Sequence, residues 1–341
     1  MPSLSPLPAR PEALVTATVR AAGRLHLGFL DPDASLGRRF GSLGVVIDGF
    51  ETELELSPAD TDQLVADHPA AQAELPRAAA HLARLRERSG LQAPLRLHLK
   101  RVLPGHAGFG SGTQLALAMG RAFARVHRLD LSTPALAAWL GRGQRSGIGI
   151  AGFDHGGLIV DGGPGADGSP APVLSRLPLP EAWRVVVVMD DRVAGLSGDA
   201  ERAAIARLAP LPRAAAADLC HQVLMRVLPG VAGNDFGAFA AGVNRLQQRL
   251  GEHFAPAQHG SAWTSPAVGR LLEWMRGHAA DEVAIGQSSW GPTGFAFVAS
   301  AGAAQGLVEA ATAAGVRDPA LALRTVAGRN RGAAVADRPP R

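Results

Sequence analysis

The chain has 341 residues, of which 47% are hydrophobic and 19% are charged, and its net charge at pH 7 is +4. This length and composition predict a globular protein with room for two domains, and the single cysteine excludes an intrachain disulfide and points to the cytoplasm. No stretch is long enough to span a membrane, and the arginine-based positive charge suits small anionic substrates rather than nucleic acid, because no dense basic run with aromatics occurs.

The first predicted element is a strand over residues 13–27, which follows a proline-rich segment that we expect to be flexible over 1–14. This strand carries Arg24 and His26 in an apolar setting. A glycine-rich turn at 37–44, after this strand, contains two more arginines. Such arginines can bind an anionic ligand or simply be solvated, and a lone strand histidine can also be an ordinary core residue.

The central feature is a glycine-rich loop at 103–114 that leads into a predicted helix. Glycine lets the backbone approach a ligand closely and permits positive φ. Ser111 and Gln114 have the spacing of a capping box, so the helix is predicted to begin at Ser111. Its free amides and dipole indicate an anion site, although a tight turn without a ligand has the same pattern. The loop matches neither the Walker A nor the Rossmann pattern.

Further elements flank this loop on both sides. Strands are predicted at 51–56 and 95–99, and helices at 70–89 and 133–142. A second glycine-rich stretch at 143–157 then brings Arg145, Asp154 and His155 together in the sequence. Asp154 with His155 can supply a general base, since imidazole titrates near neutrality. If this stretch is extended, the two side chains point to opposite faces and only one enters a site.

The second half begins after a glycine- and proline-rich segment at 162–180, which indicates a domain boundary. A buried strand is predicted at 183–189 and helices dominate 199–278. A last glycine-rich loop at 285–297 carries Ser289, Trp290 and Thr293. The tryptophan can stack on a planar ring, or it can be the buried residue of a tight hairpin. Residues 328–341 are predicted to form a mobile tail.

Three of these stretches, taken in order, resemble the GHMP kinase superfamily: Gly-Arg-Leu-His-Leu-Gly at 23–28, Pro104-x-x-x-Gly108-Phe109-Gly110-Ser111, and the loop at 286–294. The resemblance implies an α+β fold of two domains. The first, at 15–175, would be like the second domain of ribosomal protein S5. The second, at 176–327, would be ferredoxin-like, with the site between them.

The sequence departs from the kinases of this superfamily at one informative place. Their Ser-Gly-x-Asp segment carries a carboxylate associated with phosphoryl transfer, whereas here Ser146-Gly147-Ile148 is followed by Gly149. An ATP-dependent small-molecule kinase is therefore the alternative rather than the first hypothesis. A regulator that binds a sugar phosphate without turnover is a third.

Within the superfamily, the sequence at 108–114, 145–149 and 288–294 resembles that of the β-ribofuranosylaminobenzene 5′-phosphate synthases. The resemblance implies that phosphoribosyl pyrophosphate is joined to 4-aminobenzoate or 4-hydroxybenzoate through a C-glycosidic bond, with release of carbon dioxide and pyrophosphate. It also implies a Mg²⁺ requirement, a role in methanopterin biosynthesis and a homodimer.

The resemblance and the residue types together define a hypothetical site. Its phosphate-binding residues are Gly108, Gly110, Ser111, Gly112 and Thr113. Arg24 and Arg145 would bind anionic groups, and Ser289, Trp290 and Thr293 would bind substrate, with the tryptophan near the arene. His26, Asp154 or His155 would deprotonate the para substituent or assist Mg²⁺, for which no direct ligands are assigned.

Overall fold

The computed structural model describes residues 15–195 and 203–339, and it starts with two long paired strands, β1 (Thr16–Asp31) and β2 (Phe40–Pro58). Along β1, Leu25 and Leu27 are fully buried on one face, so the alternation of a strand turns Arg24 and His26 to the other. The β1–β2 register shifts between Ala22 and Arg24 and between His26 and Gly28. Such bulges re-aim side chains, and both flank the predicted site residues.

The first sheet has seven strands, in the order β11-β1-β2-β4-β3, with β5 paired to β2 and β6 paired to β5. Their bounds are β3 (Gln63–Ala66), β4 (Leu95–Arg101), β5 (Leu158–Asp161), β6 (Val173–Leu177) and β11 (Ala334–Arg338). The described residues of this half form four helices, which are α1 (Pro69–Ser89), α2 (Ser111–Val126), α3 (Thr133–Trp139) and α4 (Ile148–His155). Helix α3 begins at Thr133 as predicted, and the side chain of Ser132 caps it by accepting a hydrogen bond from the amide of Ala135.

The second sheet has four strands in the order β10-β7-β9-β8. These are β7 (Arg184–Asp190), β8 (Ala284–Gln287), β9 (Gly294–Val298) and β10 (Leu321–Ala327). The helices of this half whose full extent is described are α5 (Arg213–Gln222), which continues as a π-helical turn (Val223–Val227), α6 (Leu228–Ala232), α7 (Phe236–Phe254), followed by a 3₁₀ turn (Ala255–Gln258), α8 (Pro266–His278) and α9 (Ala301–Ala313). Among the described residues, no helix is both long and apolar enough to cross a membrane.

The two sheets share one hydrophobic core. Leu25 and Leu27 of β1 belong to the same buried cluster as Val185 and Val187 of β7. Helix α7 reaches this cluster through Leu246 and passes directly over Gly28, where a Cβ atom would overlap the side chain of Leu250. The glycine therefore lets a helix of the second half pack against the strand that carries the candidate site.

Several predicted elements are confirmed, among them the helix at 70–89 and the strand at 183–189, each to within one residue. Others are wrong in extent or kind. Residues 41–44 of the predicted turn lie within β2, and the helix predicted over 133–142 ends at Trp139. The predicted mobile tail contains strand β11, which pairs with β1 at the edge of the first sheet. The predicted flexible segment 1–14 lies outside the described residues, and the domain bounds stay predictions.

The shared core predicts a large cost for removing a leucine from α7. Leu246 is fully buried in it, so Leu246→Ala is expected to lower the free energy of unfolding by about 2–5 kcal/mol. Leu174, on the edge strand β6, is 64% exposed, so Leu174→Ala is the matched control and should cost less than about 0.5 kcal/mol. Urea unfolding of the two variants measures the difference, and equal costs would contradict a core shared by both sheets.

Candidate active site

The three predicted site stretches meet at one backbone carbonyl. Arg24 Nη1 donates a hydrogen bond of 2.7 Å to the carbonyl oxygen of Gly108, and Ser288 Oγ donates a second one, also of 2.7 Å. The same Ser288 Oγ accepts from the backbone amide of His26 at 3.0 Å. Strand β1, the glycine-rich loop and the β8–β9 hairpin are thereby fixed relative to one another.

Two glycines make this close approach possible. Gly108 has φ +95°, and a Cβ atom there would lie 2.5 Å from the carbonyl oxygen of Ser288. On the other side of the contact, a Cβ atom on Gly291 would lie 2.5 Å from the backbone of Ala107 and Gly108. The hairpin and the loop thus touch backbone to backbone, which no larger residue allows.

A cavity of about 800 Å³ lies beside this junction, at the start of α2. Both halves of the chain line it, including Arg24 and His26 from β1, residues 141–146 before α4, and Ser289 from the hairpin. The charged groups that line the cavity in the described part of the chain are Arg24, Arg39, Arg142, Arg145 and Asp33. This excess of positive charge in a concave site favours a polyanionic ligand.

Helix α2 begins at Ser111 as predicted, but the predicted capping box is wrong. The cap residue is Gly110, with φ 76° and no side-chain hydrogen bond to the helix. The Gln114 side chain instead donates to the carbonyl of Gly149 at 2.9 Å. The first-turn amides of Ser111 and Gly112 therefore keep no intrahelical acceptor, which leaves them able to bind an anion. Thr113, in the same turn, lines the cavity.

His26 lies between the cavity and the core. Its side chain is 97% buried, and neither ring nitrogen has a hydrogen-bond partner among the described residues. Burial, and then the positive charges of Arg24 and Arg145, lower the pKa of His26 to about 3. The imidazole is therefore neutral at pH 7, where it offers one donor and one acceptor but is a weak base.

The structure does not bring Asp154 and His155 to the cavity. Both are exposed at the end of α4, which is a helix where we expected extended chain, so the alternation argument for this pair was wrong. Asp154 accepts a 2.5 Å hydrogen bond from Thr133 Oγ1. Neither residue lines the cavity, and we leave both out of the proposed site.

The hairpin residues are divided between two spaces. Ser289, with φ 55°, lines the main cavity and also a smaller one of about 40 Å³, which His26 and Trp290 line as well. Trp290 is 4% exposed and its ring centroid lies 4.8 Å from that of Phe254. Of the two predicted alternatives, the buried hairpin tryptophan is therefore realised. Thr293 is fully buried and lines neither cavity.

Two site residues were not identified from the sequence. Asp161, at the end of β5, is fully buried and accepts hydrogen bonds from Ser42 Oγ, Ser146 Oγ and the amide of Gly147, which fixes the loop that carries Arg145. An aspartate directly after a short apolar strand is the signal for such an anchor. Arg142 lines the cavity, and only its position between two glycines marks it in the sequence.

Gly149 takes the position at which the resemblance to the kinases of the superfamily implies an aspartate. It is fully enclosed, and a Cβ atom there would lie 3.0 Å from Thr113 Cγ2, on the first turn of α2. A larger residue here requires the Thr113 side chain to give way by a few tenths of an ångström. The packing around this position is therefore tight.

Comparison with known proteins agrees with this geometry. Residues 74–157 match the GHMP kinases N terminal domain and residues 227–317 match the GHMP kinases C terminal domain. A β-ribofuranosylphenol 5′-phosphate synthase of Archaeoglobus fulgidus is 33% identical over 83% of this chain and 88% of its own length. A second synthase with this name, from Methanothermobacter thermautotrophicus, is 29% identical over 82% of this chain and 88% of its own length. The crystal structure of a homoserine kinase from Cytophaga hutchinsonii superposes with a TM-score of 0.67 at 17% identity, covering 97% of this chain and all of that one.

The two-sheet fold and the glycine-rich loop at the start of α2 define a protein of the GHMP kinase superfamily. Within that superfamily, the chain belongs to the family of the β-ribofuranosylphenol 5′-phosphate synthases.

The burial of His26 predicts a dependence of stability on pH. The unfolded chain binds a proton at His26 with a pKa near 6.5, but the folded chain does so only at about 3, so protonation favours unfolding between these values. The free energy of unfolding of the wild type should therefore fall, relative to His26→Asn, by about 1.4 kcal/mol for each pH unit below about 6.5. Urea unfolding from pH 8 to pH 4.5 measures this. Above pH 7 the difference between the two should be constant, and parallel curves at all pH values would contradict the assignment.

Proposed function

We propose that the protein transfers the 5-phosphoribosyl group of phosphoribosyl pyrophosphate to 4-hydroxybenzoate or 4-aminobenzoate, as a synthase of a β-ribofuranosyl arene 5′-phosphate. The observation that carries the proposal is the arginine-lined cavity at the start of α2, in a chain whose relatives are named for a ribofuranosylphenol 5′-phosphate. A substrate with a phosphate at one end and a pyrophosphate at the other suits this excess of positive charge.

The reaction breaks the bond between the anomeric carbon and the pyrophosphate oxygen, and pyrophosphate leaves with the bonding electrons. The ring carbon that bears the carboxylate attacks the anomeric carbon, because the para hydroxyl or amino group makes it electron-rich. Loss of carbon dioxide returns the electron pair of the carbon–carboxyl bond to the ring, which becomes aromatic again. No oxidant or covalent enzyme nucleophile is needed.

The main catalytic demand is the negative charge that develops on the leaving group. Preorganised donors in a site of low dielectric constant stabilise such charge more than water does. In our proposal, Arg24 and Arg145 bind the anionic groups at one end of the substrate, and the amides of Ser111 and Gly112 bind those at the other end. Arg24 is well placed because its bond to the Gly108 carbonyl fixes the guanidinium against the loop.

His26 is proposed to orient the acceptor. A neutral imidazole with both nitrogens unsatisfied, at the wall that the two cavities share, can hydrogen-bond the para substituent. Its low pKa argues against a role as a strong base. Bound phosphates would offset the charges of Arg24 and Arg145 and raise that pKa.

Mg²⁺ is proposed to enter with phosphoribosyl pyrophosphate rather than to be held by the protein. Within 15–195 and 203–339, no group of three histidine, cysteine or acidic side chains is arranged to hold a metal ion. Asp33, the acidic residue at the cavity wall, is engaged by the amide of Leu211 at 2.7 Å. These residues do not fit a dedicated magnesium site, whereas pyrophosphate oxygens are ligands that Mg²⁺ prefers.

The names of the relatives favour 4-hydroxybenzoate as acceptor, because its product is a ribofuranosylphenol. The same chemistry applies to 4-aminobenzoate. A place in methanopterin biosynthesis and a homodimeric state are part of the proposal, and sedimentation analysis measures the latter.

The direct test supplies purified protein with Mg²⁺, phosphoribosyl pyrophosphate and carboxyl-labelled 4-hydroxybenzoate or 4-aminobenzoate. We expect labelled carbon dioxide that depends on both substrates, together with an equal amount of ribosylated arene. Absence of release with either arene from a folded sample would refute the proposal. An ATP-consumption screen would then test the kinase alternative, and ligand binding without turnover would identify a regulator.

Replacement of Arg145 tests the proposed anion contact. Arg145→Gln is expected to lower kcat/KM by about tenfold or more, since it removes a charged hydrogen-bond donor from a partly buried site. Arg226 is exposed on the π-helical turn and does not line the cavity, so Arg226→Gln is the matched control. Equal kinetics for Arg145→Gln, Arg226→Gln and the wild type would remove Arg145 from the site.

A further inference from the structure

Arg142 is a cavity arginine whose charge no acidic group of the described chain balances. It follows α3 and is one of the residues that line the cavity. Its Nε is buried without a hydrogen-bond partner, and its Nη2 lies 3.4 Å from His81 Nε2. Burial and the positive charges of Arg77 and Arg84 lower the pKa of Arg142. Arg77 is paired with Glu74 at 3.0 Å, but Arg142 has no such partner among the described residues, and a partly buried charge without a partner favours an anionic ligand.

His81 supports the guanidinium from behind. It lies on the buried face of α1 and is 7% exposed. Burial, followed by the charges of Arg142, Arg77 and Arg84, lowers the pKa of His81 to about 4, so the ring is neutral at pH 7. A guanidinium has donors but no acceptor, so Nε2 of His81 must accept and its proton lies on Nδ1. This contact joins residues 61 positions apart in the chain.

Arg142 also lies close to the first turn of α2. A Cβ atom on Gly112 would be 3.6 Å from Arg142 Nη1, in ordinary van der Waals contact. The amides of Ser111 and Gly112 are in this same turn and have no intrahelical acceptor. The guanidinium thus lies next to the turn that carries two amides without an intrahelical acceptor, beside a cavity lined by Arg142, by Thr113 of the same turn and by the buried His26, whose ring nitrogens are unsatisfied.

We propose that Arg142, held in place by His81, forms with the amides of Ser111 and Gly112 a binding site for one terminal phosphoryl group of the substrate. Arg142 is a binding residue and His81 a positioning residue. Two groups share this chemistry, the 5′-phosphate and the pyrophosphate end. The identity of the ligand rests on the proposed function, and Arg24 and Arg145 serve the opposite end of the same molecule.

The test measures binding of two probes, inorganic pyrophosphate and ribose 5-phosphate, by isothermal titration calorimetry without turnover. Arg142→Gln is expected to weaken one probe by about tenfold or more and to leave the other within about twofold. The affected probe identifies which end binds there. Arg226→Gln is the control for loss of one positive charge far from the cavity, and it should leave both affinities unchanged. Unchanged binding of both probes to folded Arg142→Gln would overturn the proposal.

The positioning role of His81 is tested with two substitutions. His81→Ala should weaken binding of the same probe that Arg142→Gln affects. His81→Gln should largely restore that binding, because the glutamine amide oxygen can accept a hydrogen bond from the guanidinium. In the double variant, His81→Ala should add little to Arg142→Gln, since the two residues act as a unit. Equal weakening of both probes, or no recovery with glutamine, would overturn the positioning role.

The binding measurements separate this inference from the proposed reaction. If ribosyl transfer fails but the selective loss persists, the phosphoryl site stands and the synthase assignment falls. If transfer succeeds while Arg142→Gln binds both probes normally, the reaction stands and this site falls.

Discussion

The site depends on the carbonyl oxygen of Gly108, which accepts from both Arg24 and Ser288. This single acceptor atom thereby joins the first strand, the central loop and the last hairpin. Its two donors, Arg24 and Ser288, lie 84 and 180 residues from Gly108 in the sequence. The bond from Arg24 also fixes a guanidinium that would otherwise be flexible, and preorganisation of this kind reduces the entropy lost on binding. The absence of side chains at Gly108 and Gly291 is what allows the contact.

The same contact contributes to the electrostatics of the cavity. Burial is the main reason that the pKa of His26 is low and the ring neutral, and the guanidinium of Arg24, held against the loop, lowers this pKa further. Histidine and arginine therefore have different tasks here, the first as a hydrogen-bonding group and the second as permanent charge. This division suits a reaction in which the leaving group carries much charge and the acceptor needs little proton transfer.

The sequence was most informative where a local rule and a ligand requirement coincide. The apolar residues at helical spacing predicted the start of α2. The glycine-rich loops and the strand with polar residues predicted the three stretches that meet at the site. It failed where a local pattern had a competing tertiary partner. Gln114 has the sequence spacing of a capping box, but in the fold its side chain donates a hydrogen bond to the carbonyl of Gly149. Asp154 and His155 are adjacent in the sequence and were predicted to supply a general base, yet helix α4 exposes both. Arg142 and His81 were unpredictable because no local rule relates residues on separate helices and loops.

The pairing of β11 with β1 has a consequence for how the protein is made. Strand β1 leaves the ribosome before the other strands named here, but its partner along one edge, Ala334–Arg338, leaves after all of them. Until then that edge of β1 has unpaired amides and carbonyls, which is a surface prone to incorrect strand pairing. The first sheet is therefore completed only after the strands of the second sheet have been synthesised, and the strand that bears Arg24 and His26 reaches its final surroundings no earlier.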